Sequence, residues 1–182
     1  FANLLVTRGS KILAAGTADA PIIFSSDDEG YDGSGEWGGL IIHGYAPHNE
    51  CVEGGSYCDI DAEGESGFAG GYNPADSSGV LRYVVVAEGG YEFSTGNEIN
   101  GISLVGVGRG TEMDYVQVHG NSDDGIEFYG GTVNLKMPEL AHTPRSLLGT
   151  LLRIDPRGKN APGGGYGIPA DNPFVHSSDP LA

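Results

Sequence analysis

The chain has 182 residues, enough for one domain with or without a tail, and its 32 glycines stand far above the usual roughly 7%, while 38% apolar content excludes collagen and a disordered linker. Its formal charge is -16, with 21 acidic and 5 basic side chains in residues 1–136 and 4 of each in residues 137–182. That balance excludes a nucleic-acid partner, which needs clustered Lys and Arg against phosphate, and it favours cations.

Taken in order, the chain opens Phe1-Ala2-Asn3 on the edge of a strand, the start expected of a processed or truncated chain. Period-two alternation then predicts short strands at LLVT (4–7), KILA (11–14) and IIFS (22–25). The loop SSDDEGYDGSGEW (25–37) follows, with Asp27, Asp28, Glu29, Asp32 and Glu36 among glycines. Hard carboxylate oxygens on a flexible loop suit calcium, which takes about six to eight oxygen ligands, although the spacing is not an EF-hand and a solvated acidic loop has the same composition. Trp37 reads as a packing residue under that loop.

After the strand LIIH (40–43), residues 45–79 form the longest predicted excursion. Cys51 and Cys58 lie in CVEGGSYC, short and glycine-rich enough to close as one disulfide in an exported protein. Zinc would need further ligands, with His43 and His48 the candidates, and the pattern matches no usual zinc spacing. CDIDAEGESG then adds Asp59, Asp61, Glu63 and Glu65, a second calcium candidate or an exposed loop.

Strands are next predicted at LRYVVV (81–86), ISLVGV (102–107), MDYVQV (113–118), IEFY (126–129) and VNLK (133–136). GVGRGT (106–111) lacks the Lys-Ser/Thr ending and the helix of a phosphate loop, so it reads as a corner. Asp123 and Asp124, in NSDDG, resemble the paired acids of polysaccharide hydrolases, but neighbouring strand residues face opposite sides. With only His119, Tyr129 and Arg109 near in sequence, the pair is expected to serve as turn residues or metal ligands. Arg82, Arg109 and Lys136 are too scattered for a lyase base, and His43, His48 and His119, with no nucleophile nearby in sequence, are expected to be structural. No window reaches the roughly 18 apolar residues of a membrane span.

LRYVVV resembles MDYVQV 32 residues later, and GISL resembles GIEF 24 residues later. Unequal spacing of similar strands suits a coil with loops of variable length between rungs, in which each rung buries its aliphatic face on the next. The expected fold is therefore all-β, a solenoid over residues 1–137 with long acidic loops, followed by an extended Pro- and Gly-rich arm over 138–182.

Three stretches, GTADAPIIFSSDDEG...GEWGGLIIHGYAPHN, DSSGVLRYVVVAEGG and NEINGISLVGVGRGTEMDYVQVHGNSDDGIEFYGGTVNLK, carry a resemblance to bacterial exported right-handed parallel β-helix proteins, often lipoproteins or cell-surface proteins. The resemblance covers about residues 3–136 and implies the right-handed helix and an extracellular or cell-surface location, not an activity. Residues 146–175 instead resemble a piece of the quinoprotein glucose/sorbosone dehydrogenases, too short for a propeller and so without implied activity. Such an arm could cap the coil or add a strand to a neighbouring copy, and a junction of unrelated sequences gives the same pattern. The expected function is a non-enzymatic structural module, calcium-stabilised and associating with itself head to tail, even into filaments. The alternatives are a polysaccharide-active enzyme and a glycan-binding adhesin.

Overall fold

The structure, a computed structural model, describes residues 2–27, 30–52, 55, 58–62 and 64–136. Asp28, Glu29, Glu63, the expected arm and its dehydrogenase-like stretch lie outside the described residues. Among the described residues all regular structure is strand: β1 (Leu4–Val6), β2 (Ile12–Ala15), β3 (Ile22–Phe24), β4 (Leu40–His43), β5 (Ile60–Asp61), β6 (Phe68–Ala69), β7 (Gly79–Ala87), β8 (Glu92–Ser94), β9 (Asn97–Glu98), β10 (Ile102–Val105), β11 (Glu112–His119), β12 (Ile126–Tyr129) and β13 (Asn134–Lys136).

Two parallel sheets carry the architecture. One has the order β1-β4-β10-β12; in the other β2 and β3 both pair with β7, which is followed by β11 and β13. Apart from β2 and β3, which follow each other in the second sheet, the strands of these two sheets come alternately along the chain, each added on the same side of the last. Leu4, Leu40, Ile102 and Ile126 are successive register partners, as are Val6, Ile42, Leu104 and Phe128. Like residues therefore stack along the coil. The central core draws Leu40, Ile42, Ile102 and Leu104 from the first sheet and Leu81, Val84, Val86 and Met113 from the second. Burying one such side chain contributes about 1.5–3 kcal/mol.

Strands β4 and β10 are buried along their whole length. A parallel strand covered on both faces carries a near-continuous apolar run, which LIIH and ISLV provide. The cover comes from a second cluster in which Ile41 and Val105 pack with Ala69 and Ile99, joined by Ile60, Ala62 and Tyr129. Part of the excursion expected to project therefore lies on the back of the first sheet, where β5 and β6 pair antiparallel.

The second sheet turns a corner at one residue per rung. Tyr83 and Tyr115 adopt φ of 47° and 52°, so the inward set changes phase: Leu81 then Val84 and Val86, Met113 then Val116 and Val118. A left-handed non-glycine residue costs about 1–2 kcal/mol. The two rings stack in parallel with centroids 4.4 Å apart, which offsets about 0.5–1.5 kcal/mol of that cost. At Gly79, φ is +115° and a Cβ would stand 1.9 Å from the Ile12 carbonyl oxygen, so rung contact there requires glycine.

Candidate functional site

The acidic loop after β3 is organised by a residue that the sequence reading passes over. Glu88 follows β7, is fully buried with φ of 62°, and accepts hydrogen bonds from Ser25 Oγ at 2.5 Å, Ser26 Oγ at 3.1 Å and the Gly33 amide at 3.3 Å. The Ser25 bond, helped by Gly33 and Ser26 and opposed by burial, holds this carboxyl below its ordinary value. Its backbone also ties neighbours together, donating to the His119 carbonyl and accepting from the Glu36 amide, each at 2.9 Å. Around this anchor Asp27, Asp32 and Glu36 are exposed, and Glu36 accepts from Ser26 Oγ at 2.6 Å.

Asp59 is engaged rather than open: Arg8 Nη1 lies 2.6 Å from its Oδ1 and donates also to the Gly70 carbonyl at 2.9 Å. Asp61, on β5, is exposed. Asp123 and Asp124 are exposed at the turn between β11 and β12. The Asp124 carbonyl accepts from the Gly101 amide and from Asn121 Nδ2, both at 2.9 Å, and Ser122 Oγ donates to the Gly90 carbonyl. This turn holds one rung to the next through its backbone. Among the described residues, the group that brings three potential metal-ligand atoms within 4.8 Å of one another is His48, Cys51 and Cys58; the carboxylates at 27, 32, 59, 61, 123 and 124 form no such group.

Cys51 and Cys58 form the expected disulfide. His48 lies beside it, its amide donating to Cys51 Sγ at 3.1 Å. The fold brings to His43 a hydroxyl that is not near it in sequence: His43 Nε2 lies 3.2 Å from Ser66 Oγ. Ser66 comes from the β5–β6 turn, distant in sequence, and burial, with Arg8 adding to it against Asp61, holds the His43 imidazole below its ordinary value of 6.5. His119 Nε2 is 3.0 Å from the Tyr31 carbonyl oxygen.

A second unforeseen cluster sits on the back of the first sheet. Glu127 Oε2 accepts from Asn100 Nδ2 and from the Tyr129 hydroxyl, each at 2.5 Å. Ser103, the register partner of Glu127 on β10, is buried and its hydroxyl has no hydrogen-bond partner among the described residues. Ser103 and Glu127 lie in ISLV and IEFY as the polar members of apolar runs, the one signal that could have marked them.

The family described as a pectate-lyase-like beta helix domain matches residues 2–142. Neither a curated protein nor a solved structure matches the chain.

Proposed function

Since the chain belongs to the pectate-lyase-like β-helix domain family, we propose that it is a non-catalytic structural module, a right-handed solenoid of the cell surface or extracellular space. One observation carries this reading: side chains suited to acid–base work hold the coil together, Asp59 by Arg8, Glu88 by Ser25 and Ser26, and Glu127 by Asn100 and Tyr129. Two of the cations are engaged as well: Arg8 pairs with Asp59, and Arg82 lies 4.0 Å from Asp114. The test is an assay on acidic and neutral polysaccharides with Asp123→Asn and Asp124→Asn as controls. No turnover is expected; turnover lost in either variant overturns the reading.

Assembly belongs to the same proposal. Unpaired strand edges add further strands, so copies joined head to tail would extend the two sheets. Size-exclusion chromatography and negative-stain microscopy at increasing concentration test this, and monomers throughout would remove it.

A second reading, a polysaccharide-binding module, is favoured by the half-buried Glu127 carboxylate, held in place by an amide and a phenol. A glycan array separates the two: binding that is lost in Glu127→Gln supports the second reading.

A further inference from the structure

We propose that the Cys51–Cys58 disulfide is redox-active, with Cys51 as the exchanging sulfur and Cys58 as the resolving one, so that the module undergoes thiol–disulfide exchange with dithiols. The two sulfurs differ in access: Cys58 is 5% exposed, whereas Cys51 is half-buried at the surface. They also differ in their partners. The His48 amide donates to Cys51 Sγ at 3.1 Å, and one imidazole nitrogen of His48 lies within 4.8 Å of both sulfurs.

The protonation of that ring follows from its hydrogen bonds. His48 Nδ1 accepts from the Glu50 amide at 3.2 Å, so in the neutral ring the proton sits on Nε2. Nε2 is buried and has no hydrogen-bond partner among the described residues. A buried donor without an acceptor costs about 1–3 kcal/mol in general, and a disulfide sulfur accepts weakly. A thiolate at Cys51, within 4.8 Å of one ring nitrogen of His48, brings a full negative charge beside this ring. The His48 amide, which donates to Cys51 Sγ, favours the anionic sulfur, and a protonated ring beside it adds to that, the environment that lowers a thiol below its usual value of about 8.5. Among the described residues, the other charged groups nearby are Arg8 and Asp59, which neutralise each other beside Gly70, and Glu50, which is exposed. Among the described residues, His48 is the titratable group beside the two sulfurs.

The exchange balances as follows. One thiolate of a dithiol attacks Cys51 Sγ, the S–S bond breaks, and Cys58 leaves as a thiolate and takes a proton. The second thiol then attacks the dithiol's own sulfur in the mixed disulfide, closing a cyclic disulfide and releasing Cys51 as a thiolate. Two electrons pass from the dithiol to the protein, and the reverse sequence oxidises a dithiol partner.

The experiment uses dithiothreitol on the folded full chain, followed by iodoacetamide and mass mapping across a pH series. Cys51 should alkylate about tenfold or more faster than Cys58, with its midpoint at least about one pH unit below that of a free thiol. His48→Ala, which keeps the amide and removes the ring, should move the midpoint upward, and His48→Gln, which restores a side-chain donor, should recover part of the shift. Equal alkylation of the two cysteines, or reduction only under denaturing conditions, would overturn the proposal and leave a plain staple. If His48→Ala does not fold, the pH midpoint of Cys51 in the unaltered protein decides: a value at or above that of a free thiol also overturns it.

Discussion

Three substitutions in two neighbouring columns of the coil test the stacking of the rungs. Leu104 is 0% exposed on β10, and its register partners are Ile42 and Phe128. Truncating a buried leucine costs about 2–5 kcal/mol, and the upper half of that range is expected because hydrogen-bonded strands on both sides prevent the site from closing. For a chain of this size Leu104→Ala should lower the melting temperature by roughly 10 °C. Phe128 occupies the same column but is 46% exposed, so Phe128→Ala should cost less than about 2 kcal/mol. Ser103, next in sequence, faces the opposite side with a buried hydroxyl that lacks a partner, so Ser103→Ala should be neutral or stabilise by up to about 1 kcal/mol. Thermal and urea melts followed by circular dichroism measure all three. A Ser103→Ala loss equal to that of Leu104→Ala would refute the register on which the core assignment depends.

Acid should destabilise the fold in two stages. His43 is held below 6.5 in the folded state, so the unfolded chain binds more protons and stability falls as pH drops through that value; Glu88, held below 4.5, adds a loss beneath it. Urea midpoints against pH should flatten in the upper window for His43→Gln and in the lower for Glu88→Gln; a flat wild-type profile would discard both assignments. Gly79→Ala should cost at least about 2 kcal/mol through its φ and its collision with Ile12, whereas Gly96→Ala, with φ of +73° and open space, should cost only about 1 kcal/mol. Comparable melting temperatures for the two would remove the rung-contact argument. Were the acidic loops to bind calcium, a hundredfold excess over the dissociation constant would raise stability by about 2.7 kcal/mol, and a melt unmoved by chelator would dismiss the ion.

What was legible followed from periodicity. LIIH and IEFY correspond to β4 and β12 residue for residue because each is bounded by glycine. LRYVVV lies inside β7, but alternation alone could not reveal the phase change at Tyr83, since a left-handed tyrosine leaves no mark on the pattern. The pairs β5–β6 and β8–β9 are two or three residues per strand, too short for any period to register. The acidic loops drew attention through composition, yet the organising carboxylate was Glu88, one acid at the end of an apolar strand. Its partners Ser25 and Ser26 are more than sixty residues away, a separation only the coil closes.

The distribution of those partners explains how a coil of this charge holds together. With 5 basic side chains against 21 acidic ones in residues 1–136, most carboxylates have no cation of their own. Glu88 and Glu127 are satisfied instead by hydroxyls, an amide side chain and a backbone amide, while Asp59 uses an ion pair. Salt screens these arrangements differently: short hydrogen bonds to neutral donors are little affected, and repulsion within a net charge of -16 is relieved. Sodium chloride should therefore raise the melting temperature despite weakening the Arg8–Asp59 pair. Calcium chloride at equal ionic strength isolates any specific effect of the divalent ion. A melting temperature that falls as sodium chloride is added would mean that ion pairs, rather than neutral donors around buried acids, hold the rungs and their loops together.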